Sequence, residues 1–217
     1  MRRMIIFESR HFLSRVCDKL MSNTLQAPYD HWRNRYLLIR HGHSQANQQG
    51  VIVSSPEHGV TDFGLSEQGE QQLAQRVADW QWPIPTRVVH SDFLRTSQTA
   101  AHIADAFGLT PSVETRLRER YFGELEGQSD ERYPSIWVLD AQDAEHQHLQ
   151  VEAVSAVAKR MRSVIDDWEQ AASGETIALV SHGDPLQILL TALAGRPLGQ
   201  HREQAALLPA SITLIGP

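Results

Sequence analysis

The chain has 217 residues, of which 41% are hydrophobic and 21% are charged, as is typical of a soluble globular protein. Its formal net charge of −6 provides no positive field for nucleic acid or an anionic membrane. The single cysteine, Cys17, excludes an internal disulfide and a cysteine metal cluster. No apolar run approaches the ~18 residues of a transmembrane helix. We therefore expect a soluble, cytoplasmic protein without a nucleic-acid or membrane partner.

Residues 1–34 differ in composition from the rest and are predicted to be an extension to a single domain, 35–217. Five basic residues outnumber two acidic ones between Met1 and Leu20, and the apolar residues there have roughly helical spacing. A basic amphipathic start is compatible with an organelle-targeting segment, although acidic residues are unusual in one. We expect an extension without a catalytic role, and targeting remains the alternative.

Short apolar runs alternate with helical patterns from residue 36 onwards. The runs predict buried strands at 36–39, 87–90, 176–180 and 211–215. Helices are predicted at 66–78, 95–107, 151–172 and 185–193, with a short one at 133–139 inside an irregular insertion, 128–150. This alternation predicts an α/β fold with a three-layer, doubly wound sheet of mostly parallel strands. Ligands of such sheets bind beyond the carboxyl ends of the strands, where Arg40, Ser91 and His182 begin the connecting segments.

Four motifs in this order carry a resemblance to a known family. They are Arg40-His41-Gly42 after the first strand, Ser91 to Ala100 around Arg95, Leu117-Arg118-Glu119 followed by Gly123, and Ser181-His182-Gly183. Together with Asp62, Leu65, Ser66 and Gly69, they resemble the histidine phosphatase superfamily, also called phosphoglycerate mutase-like, over residues 36–215. The resemblance implies the phosphoglycerate mutase-like form of the α/β fold.

The resemblance also implies a catalytic set. His41 would be the nucleophile that forms a phosphohistidine, and Glu119 the general acid and base, although Glu124 and Glu126 are close rivals in the sequence. Arg40 and Arg95 would bind the phosphoryl oxygens through their parallel N–H donors.

Four further residues complete the predicted phosphate site. His182, when protonated, would add a positively charged donor to the two arginines, so no metal or other cofactor is needed. Asn47, Ser44 and Gly183 are predicted to bind the substrate as well, although Asn47 and Ser44 are also typical helix-start residues.

Two features depart from the mutase branch of the family. His43 forms a His-x-His pair with His41, but no further ligands stand at a recognisable spacing, so we predict no metal site. Asp184 follows the second histidine motif. It is predicted either to cap a helix whose first residue is Pro185, or to repel highly charged substrates or orient His182.

The spacing of the motifs favours a phosphatase. Only 62 residues separate Glu119 from His182, whereas the family's cofactor-dependent mutases have a longer cover there that keeps water from the phosphohistidine. We predict hydrolysis of small phosphorylated metabolites, with loops 48–61 and 128–150 determining specificity. A cofactor-dependent mutase-type phosphotransferase and a catalytically inactive binding module remain alternatives, and oligomeric state is not predicted.

Overall fold

The computed structural model describes residues 31–217, so the predicted amphipathic segment between Met1 and Leu20 lies outside the described residues. Within them, Trp32 is 9% exposed and packs edge-on against Tyr36, with ring centroids 5.2 Å apart. The packed domain therefore includes residues just before the predicted boundary at 35. No helix in the described part is long and apolar enough to cross a membrane.

The predicted α/β fold is confirmed. Five strands form one sheet in the order β3-β2-β4-β1-β5, and their bounds are Arg35–Arg40 (β1), Arg87–His90 (β2), Ser112–Val113 (β3), Thr176–Ser181 (β4) and Ile212–Ile215 (β5). Only β5 is antiparallel to its neighbour. The two-residue strand β3, which is exposed, has no apolar run and was not predicted.

Seven α-helices are present among the described residues. They are Gln45–Gln49 (α1), Pro56–Gly59 (α2), Glu67–Ala78 (α3), Leu94–Phe107 (α4), Tyr133–Gln142 (α5), Val154–Ala171 (α6) and Gly183–Leu193 (α7).

Alternation along the central strands produces the three layers. Tyr36 and Leu38 of β1 face a core shared with α6 and α7, whereas Leu37 and Ile39 face a second core shared with α4. Successive side chains of a strand point to opposite faces, so helices cover both sides of the sheet. The carboxyl ends of β1, β2 and β4 consequently stay open at one edge.

The loop after β1 is held by the start of α3. Ser66 caps this helix by accepting the backbone N–H of Gly69 at 3.2 Å. A Cβ atom on Gly69 would lie 2.0 Å from the backbone oxygen of His43, so only glycine permits this approach. The close contact fixes the backbone directly after His41.

The predicted insertion forms one wall over that edge. Its helix α5 is longer than predicted and is flanked by short 3₁₀ turns. Ile136 packs with Ile52, Phe122 and Val151 in a small separate core, which anchors the wall to the body of the domain.

Candidate active site

A cavity of about 230 Å³ opens at the carboxyl edge of the sheet. Its lining combines predicted catalytic residues with residues of the insertion and of the segment before β5. They are Arg40, His41, Ser44, Ala46, Asn47, Val51, Val53, Arg95, Glu119, Phe122, Asp130, Tyr133, Trp137, Gly183, Asp184, Gln187, Arg202, Ala206 and Leu207. The position agrees with the general rule for parallel sheets.

His41 has a defined tautomer. Its Nδ1 lies 2.7 Å from the carbonyl oxygen of Gly42, which can only accept, so Nδ1 carries the hydrogen. Arg95 donates its Nε–H to His41 Nε2 at 3.1 Å, so Nε2 carries the lone pair. Burial, followed by the charges of Arg95 and Arg40, holds the pKa of His41 well below its ordinary value. The ring is therefore neutral, with a nucleophilic nitrogen directed toward Arg95.

Three buried donor nitrogens around this ring lack hydrogen-bond partners among the described residues: Arg40 Nε, Arg95 NH1 and His182 Nδ1. Leaving a buried polar group unpaired costs about 1–3 kcal/mol. A set of such groups in one place is the signature of a site for an oxyanion, whose oxygens accept several N–H bonds at once.

Each of the two arginines is held by a hydrogen bond to a backbone carbonyl. Arg40 donates from NH1 to the carbonyl of Leu207 at 2.5 Å, and Arg95 donates from NH2 to the carbonyl of Val53 at 3.0 Å. A Cβ on Gly183 would lie 3.2 Å from Arg40 Nε. Gly183 therefore makes room for a guanidinium, a contribution that requires no direct contact with substrate.

His182 lies 0% exposed behind His41, with ring centroids 5.2 Å apart. Its Nε2 lies 3.1 Å from Ser91 Oγ. Ser91 Oγ accepts the N–H of Phe93 and has both its hydrogen and a second lone pair left for Nε2. We assign the Ser91 hydrogen to Nε2, which places the His182 hydrogen on Nδ1.

The charge of His182 differs from the expectation. Burial, then the charges of Arg95 and His41, hold the pKa of His182 well below its ordinary value, so it is a neutral donor in the free protein. Ser91 was not predicted to have a role. Its place directly after β2, at the carboxyl edge, was the signal that could have identified it.

The Glu119 carboxyl lies beside Arg95 and His182. Its Oε2 lies 3.8 Å from Arg95 NH2 and 3.8 Å from His182 Nδ1, and its Oε1 accepts the backbone N–H of Arg120 at 2.9 Å. Burial raises the pKa of Glu119 to about 7, against the opposing charge of Arg95. A carboxyl with such a pKa can both donate and accept a proton near neutral pH.

The two rival carboxylates have other surroundings. Glu126 accepts hydrogen bonds from the backbone and hydroxyl of Ser54 at 2.8 and 2.6 Å, so it anchors the loop before α2. Glu124 is exposed and contacts Gln150 at 3.3 Å. Neither lines the cavity, so Glu119 is the one of these three glutamates that shares the cavity with His41.

Ser44 and Asn47 form a reciprocal cap at the start of α1. The Ser44 hydroxyl accepts the backbone N–H of Asn47 at 3.2 Å and donates to Asn47 Oδ1 at 3.0 Å. Asn47 Oδ1 also accepts the backbone N–H of Ser44. Both residues line the cavity. The Ser44 hydroxyl is engaged in the cap, whereas the side-chain NH₂ of Asn47 makes none of the cap's hydrogen bonds.

The histidines outside the motifs have local contacts. His43 Nδ1 lies 2.7 Å from Ser66 Oγ, and His146 Nε2 lies 2.7 Å from Asp140. Between residues 31 and 217, no three His, Cys, Asp or Glu side chains are grouped as metal ligands.

The prediction that Asp184 caps a helix is wrong. Helix α7 begins at Gly183, its N-cap position is His182, and that position makes no side-chain cap bond. The Asp184 carboxylate instead turns toward Arg120 and Arg202, each 3.3 Å away. Opposite charges in a buried setting outweigh a cap bond that is worth about 1 kcal/mol.

The outer wall combines two aromatic rings with a guanidinium. Tyr133 and Trp137 of α5 are stacked at 5.5 Å with an interplanar angle of 7°, and the Arg202 Cζ lies 3.7 Å from the centroid of the Trp137 ring. Loop 128–150 thus lines the cavity as predicted. Arg202 and Leu207 belong to the segment before β5 and were not predicted, since nothing in their local sequence marks them.

Comparisons with known proteins agree with this geometry. Residues 36–217 match the family model for the histidine phosphatase superfamily (branch 1), so the chain belongs to that superfamily. It is 31% identical over 172 residues to the probable phosphoglycerate mutase GpmB of Yersinia pestis (strain Pestoides F), which covers 76% of this chain and 77% of the relative.

Solved structures of phosphatases are also similar. The mycobacterial glucosyl-3-phosphoglycerate phosphatase superposes with a TM-score of 0.69 at 26% identity, over 83% of this chain and 88% of the other. A putative alpha-ribazole-5'-P phosphatase from Escherichia coli gives a TM-score of 0.67 at 24% identity, over 83% and 89% of the two chains; at this identity the likeness concerns the fold.

Proposed function

We propose that this protein is a metal-independent phosphatase that hydrolyses small phosphomonoesters through a phosphohistidine on His41. The observation that carries the proposal is the set of three unpartnered donors, Arg40 Nε, Arg95 NH1 and His182 Nδ1, around a neutral imidazole. Such a set suits the three equatorial oxygens of a phosphoryl group in transfer.

The first step follows from the tautomer of His41. Its Nε2 lone pair attacks phosphorus while the bond from phosphorus to the ester oxygen breaks, and protonated Glu119 gives its proton to the departing oxygen. Arg95, which contacts Nε2 in the free protein, turns its N–H donors to the phosphoryl oxygens. The products are the alcohol and phosphohistidine, with Glu119 ionised.

The second step reverses the proton transfer. Ionised Glu119 takes a proton from water as the water oxygen attacks phosphorus and the P–N bond breaks. Inorganic phosphate leaves, the lone pair returns to His41 Nε2, and Glu119 is protonated again.

The outer wall supports a substrate with a single phosphoryl group. Beyond Arg40 and Arg95, the described cavity lining holds one further arginine, Arg202, and Arg202 is already paired with Asp184 at 3.3 Å. A second phosphate there would find no unpaired cation in that lining and would meet Asp130. This favours the phosphatase over the second candidate, a mutase that must accept a bisphosphate. The similarity to GpmB points to that second candidate.

The test is hydrolysis of p-nitrophenyl phosphate and of a panel of phosphomonoesters between pH 5 and 8 with excess EDTA. We expect His41→Ala to abolish activity, and wild type to give an acid-labile phosphohistidine on rapid quenching. His58→Ala is the matched control, because His58 is exposed on α2 and pairs only with Asp62 in the described structure.

The alternatives give different results. Transfer of phosphate from bisphosphoglycerate to monophosphoglycerate that outpaces release of phosphate indicates a mutase. Neither turnover nor phosphohistidine with any substrate indicates the inactive binding module. Hydrolysis that persists in His41→Ala would contradict the proposed nucleophile.

A further inference from the structure

A cluster of buried charges lies behind Glu119. Arg120, the next residue in the chain, is 0% exposed and forms a two-pronged ion pair with Asp140 of α5, at 2.7 Å for both N···O contacts. Its Nε donates to the carbonyl of Glu152 at 2.8 Å. These bonds fix the backbone N–H of Arg120, which holds Glu119 Oε1.

The second carboxylate of the cluster, that of Asp184, is not needed to pair Arg120. Asp184 Oδ2 lies 3.3 Å from Arg120 NH1, while Asp184 Oδ1 lies 3.3 Å from Arg202 NH1 and 3.6 Å from His201 Nε2. All three distances are longer than the contacts of Asp140 to Arg120. Asp140 alone meets the geometric needs of Arg120, so a structural role accounts for Asp140 better than for Asp184.

Asp184 differs from Asp140 in its position relative to Glu119. Asp184 and Glu119 line the same cavity, and Asp140 does not. Asp184 also lies in the first turn of α7, two residues after His182, and His182 Nδ1 lies 3.8 Å from the Glu119 carboxyl. The anion thus lines the same cavity as Glu119 and is joined to the Glu119 segment through Arg120.

We propose that Asp184 is a positioning residue for Glu119, because its carboxylate ties the Arg120 segment to α7 and keeps a negative charge beside the Glu119 carboxyl. The inference rests on the proposed function, since it concerns the group that we assign as general acid. In the described structure the Asp184 carboxylate contacts Arg120, His201 and Arg202, and it acts on the reaction only through Glu119.

The charges support this arrangement. Burial raises the pKa of Asp184, but His201, Arg120 and Arg202 outweigh burial and hold that pKa below its ordinary value, so the carboxylate stays ionised. Asp184 in turn adds to the raised pKa of Glu119, after burial and against Arg95. The groups that act on the Glu119 carboxyl are Arg40 of β1, Arg95 of α4, Tyr133 of α5, His182 and Asp184. From α6, Arg160 donates to the Glu119 backbone carbonyl at 3.1 Å.

The test compares the matched variants Asp184→Asn and Asp140→Asn. We measure kcat/KM against pH for glycerol 2-phosphate, whose alkoxide needs a proton to leave. Asp184→Asn removes the anion beside Glu119, so the alkaline limb of the profile moves to lower pH by about 0.5–1 unit. Asp140→Asn lowers thermal stability but leaves that limb in place, because Asp140 contacts Arg120, His146 and His201 and does not line the cavity with Glu119.

Two further variants keep the result interpretable if Asp184→Asn folds poorly. Asp184→Glu retains the charge and restores the wild-type limb. Arg202→Gln, on a side chain that is 26% exposed, removes the cation beside Asp184 and moves the limb to higher pH. The proposal would be overturned if the alkaline limb of the kcat/KM profile lay at the same pH in Asp184→Asn as in wild type. It would also be overturned if Asp184→Asn and Asp140→Asn shifted that limb equally.

A readout independent of turnover separates this proposal from the proposed function. NMR titration of the Glu119 carboxyl, in protein labelled with [5-¹³C]glutamate and assigned with Glu119→Gln, follows its protonation directly. A lower midpoint in Asp184→Asn supports the positioning role even in a protein without phosphatase activity. An unchanged midpoint in an active phosphatase refutes the role of Asp184 and leaves the phosphatase proposal intact.

Discussion

Glu119, Glu124 and Glu126 share one short motif, yet each carboxyl has different surroundings. Glu126 accepts bonds from Ser54 and the backbone of Ser55. Glu119 receives one backbone N–H and is otherwise buried beside Arg95 and His182. Burial raises the pKa of Glu119 to about 7, so this carboxyl can carry a proton near neutral pH.

Glu119→Gln separates acid catalysis from binding. An amide cannot supply the proton, so we expect kcat/KM for an alkyl phosphate to fall by about 10²–10⁴-fold. The loss should be much smaller with p-nitrophenyl phosphate, whose phenolate leaves without a proton. Steady-state kinetics on both esters measure this difference, with the exposed Glu124→Gln as control. Equal losses on the two esters would show that Glu119 is not the acid.

Gly183→Ala tests the placement of Arg40. The added Cβ would lie 3.2 Å from Arg40 Nε and 3.3 Å from its Cζ, so the guanidinium must shift. This shift displaces its Nε–H relative to Arg95 NH1 and His182 Nδ1, the other two unpartnered donors at the cavity. Loss of one charge-assisted bond costs about 1.5–3 kcal/mol, or about 10–100-fold in the inhibition constant of inorganic phosphate. Competitive inhibition and a thermal melt are measured together. An unchanged inhibition constant would contradict the role of Gly183.

Elements with an apolar run or helical period were predictable, and those set by polar local bonds were not. Strand β1 is buried on both faces, and its run of apolar residues marks it clearly. Helix α1 has the sequence Gln-Ala-Asn-Gln-Gln, without a period, and is defined by the Ser44 cap and by Gly50 in the left-handed conformation at φ 64°.

The same reasoning explains which parts of the site could be predicted. The motif residues are adjacent in sequence to strand ends, so the sheet brings them together. Arg202 and Leu207 reach the cavity from a loop whose course is decided by long-range contacts, such as Arg202 on Trp137 and Leu207 on Arg40. The contact between Asp184 and Arg120 was also beyond sequence reasoning, because the two residues are 64 positions apart in the chain.

Gly69→Ala tests how α3 holds the loop after His41. A Cβ would lie 2.0 Å from the backbone oxygen of His43, and backbone atoms cannot rotate away as a side chain would. We expect a loss of about 1–3 kcal/mol in the free energy of unfolding, together with reduced activity. Gln68→Ala, exposed on the same turn, should stay within about 0.5 kcal/mol of wild type. Urea denaturation measures both, and equal stability of the two variants would contradict the close packing.

At the scale of the whole molecule, the buried site couples stability to pH. His41 and His182 have pKa values well below 6.5 because of burial and neighbouring arginine charges, so the unfolded chain binds more protons than the folded one as pH falls below about 6.5. Glu119 acts in the opposite direction. Burial raises its pKa from 4.5 to about 7, so the folded protein binds its proton more tightly between those values.

Between pH 5 and 6.5 the two buried imidazoles oppose one carboxyl, and His43, whose pKa is lowered by burial and by Arg40, acts in the same direction as the buried imidazoles. The free energy of unfolding should therefore rise with pH. At about 1.4 kcal/mol per pH unit for each proton, His41, His182 and Glu119 alone give a slope of about 1 kcal/mol per unit. Glu119→Gln removes the opposing group and should roughly double that slope, whereas His182→Gln should nearly abolish it. Urea denaturation of the three proteins at four pH values measures the slopes. Parallel curves would mean that these buried groups do not control the acid stability of the fold.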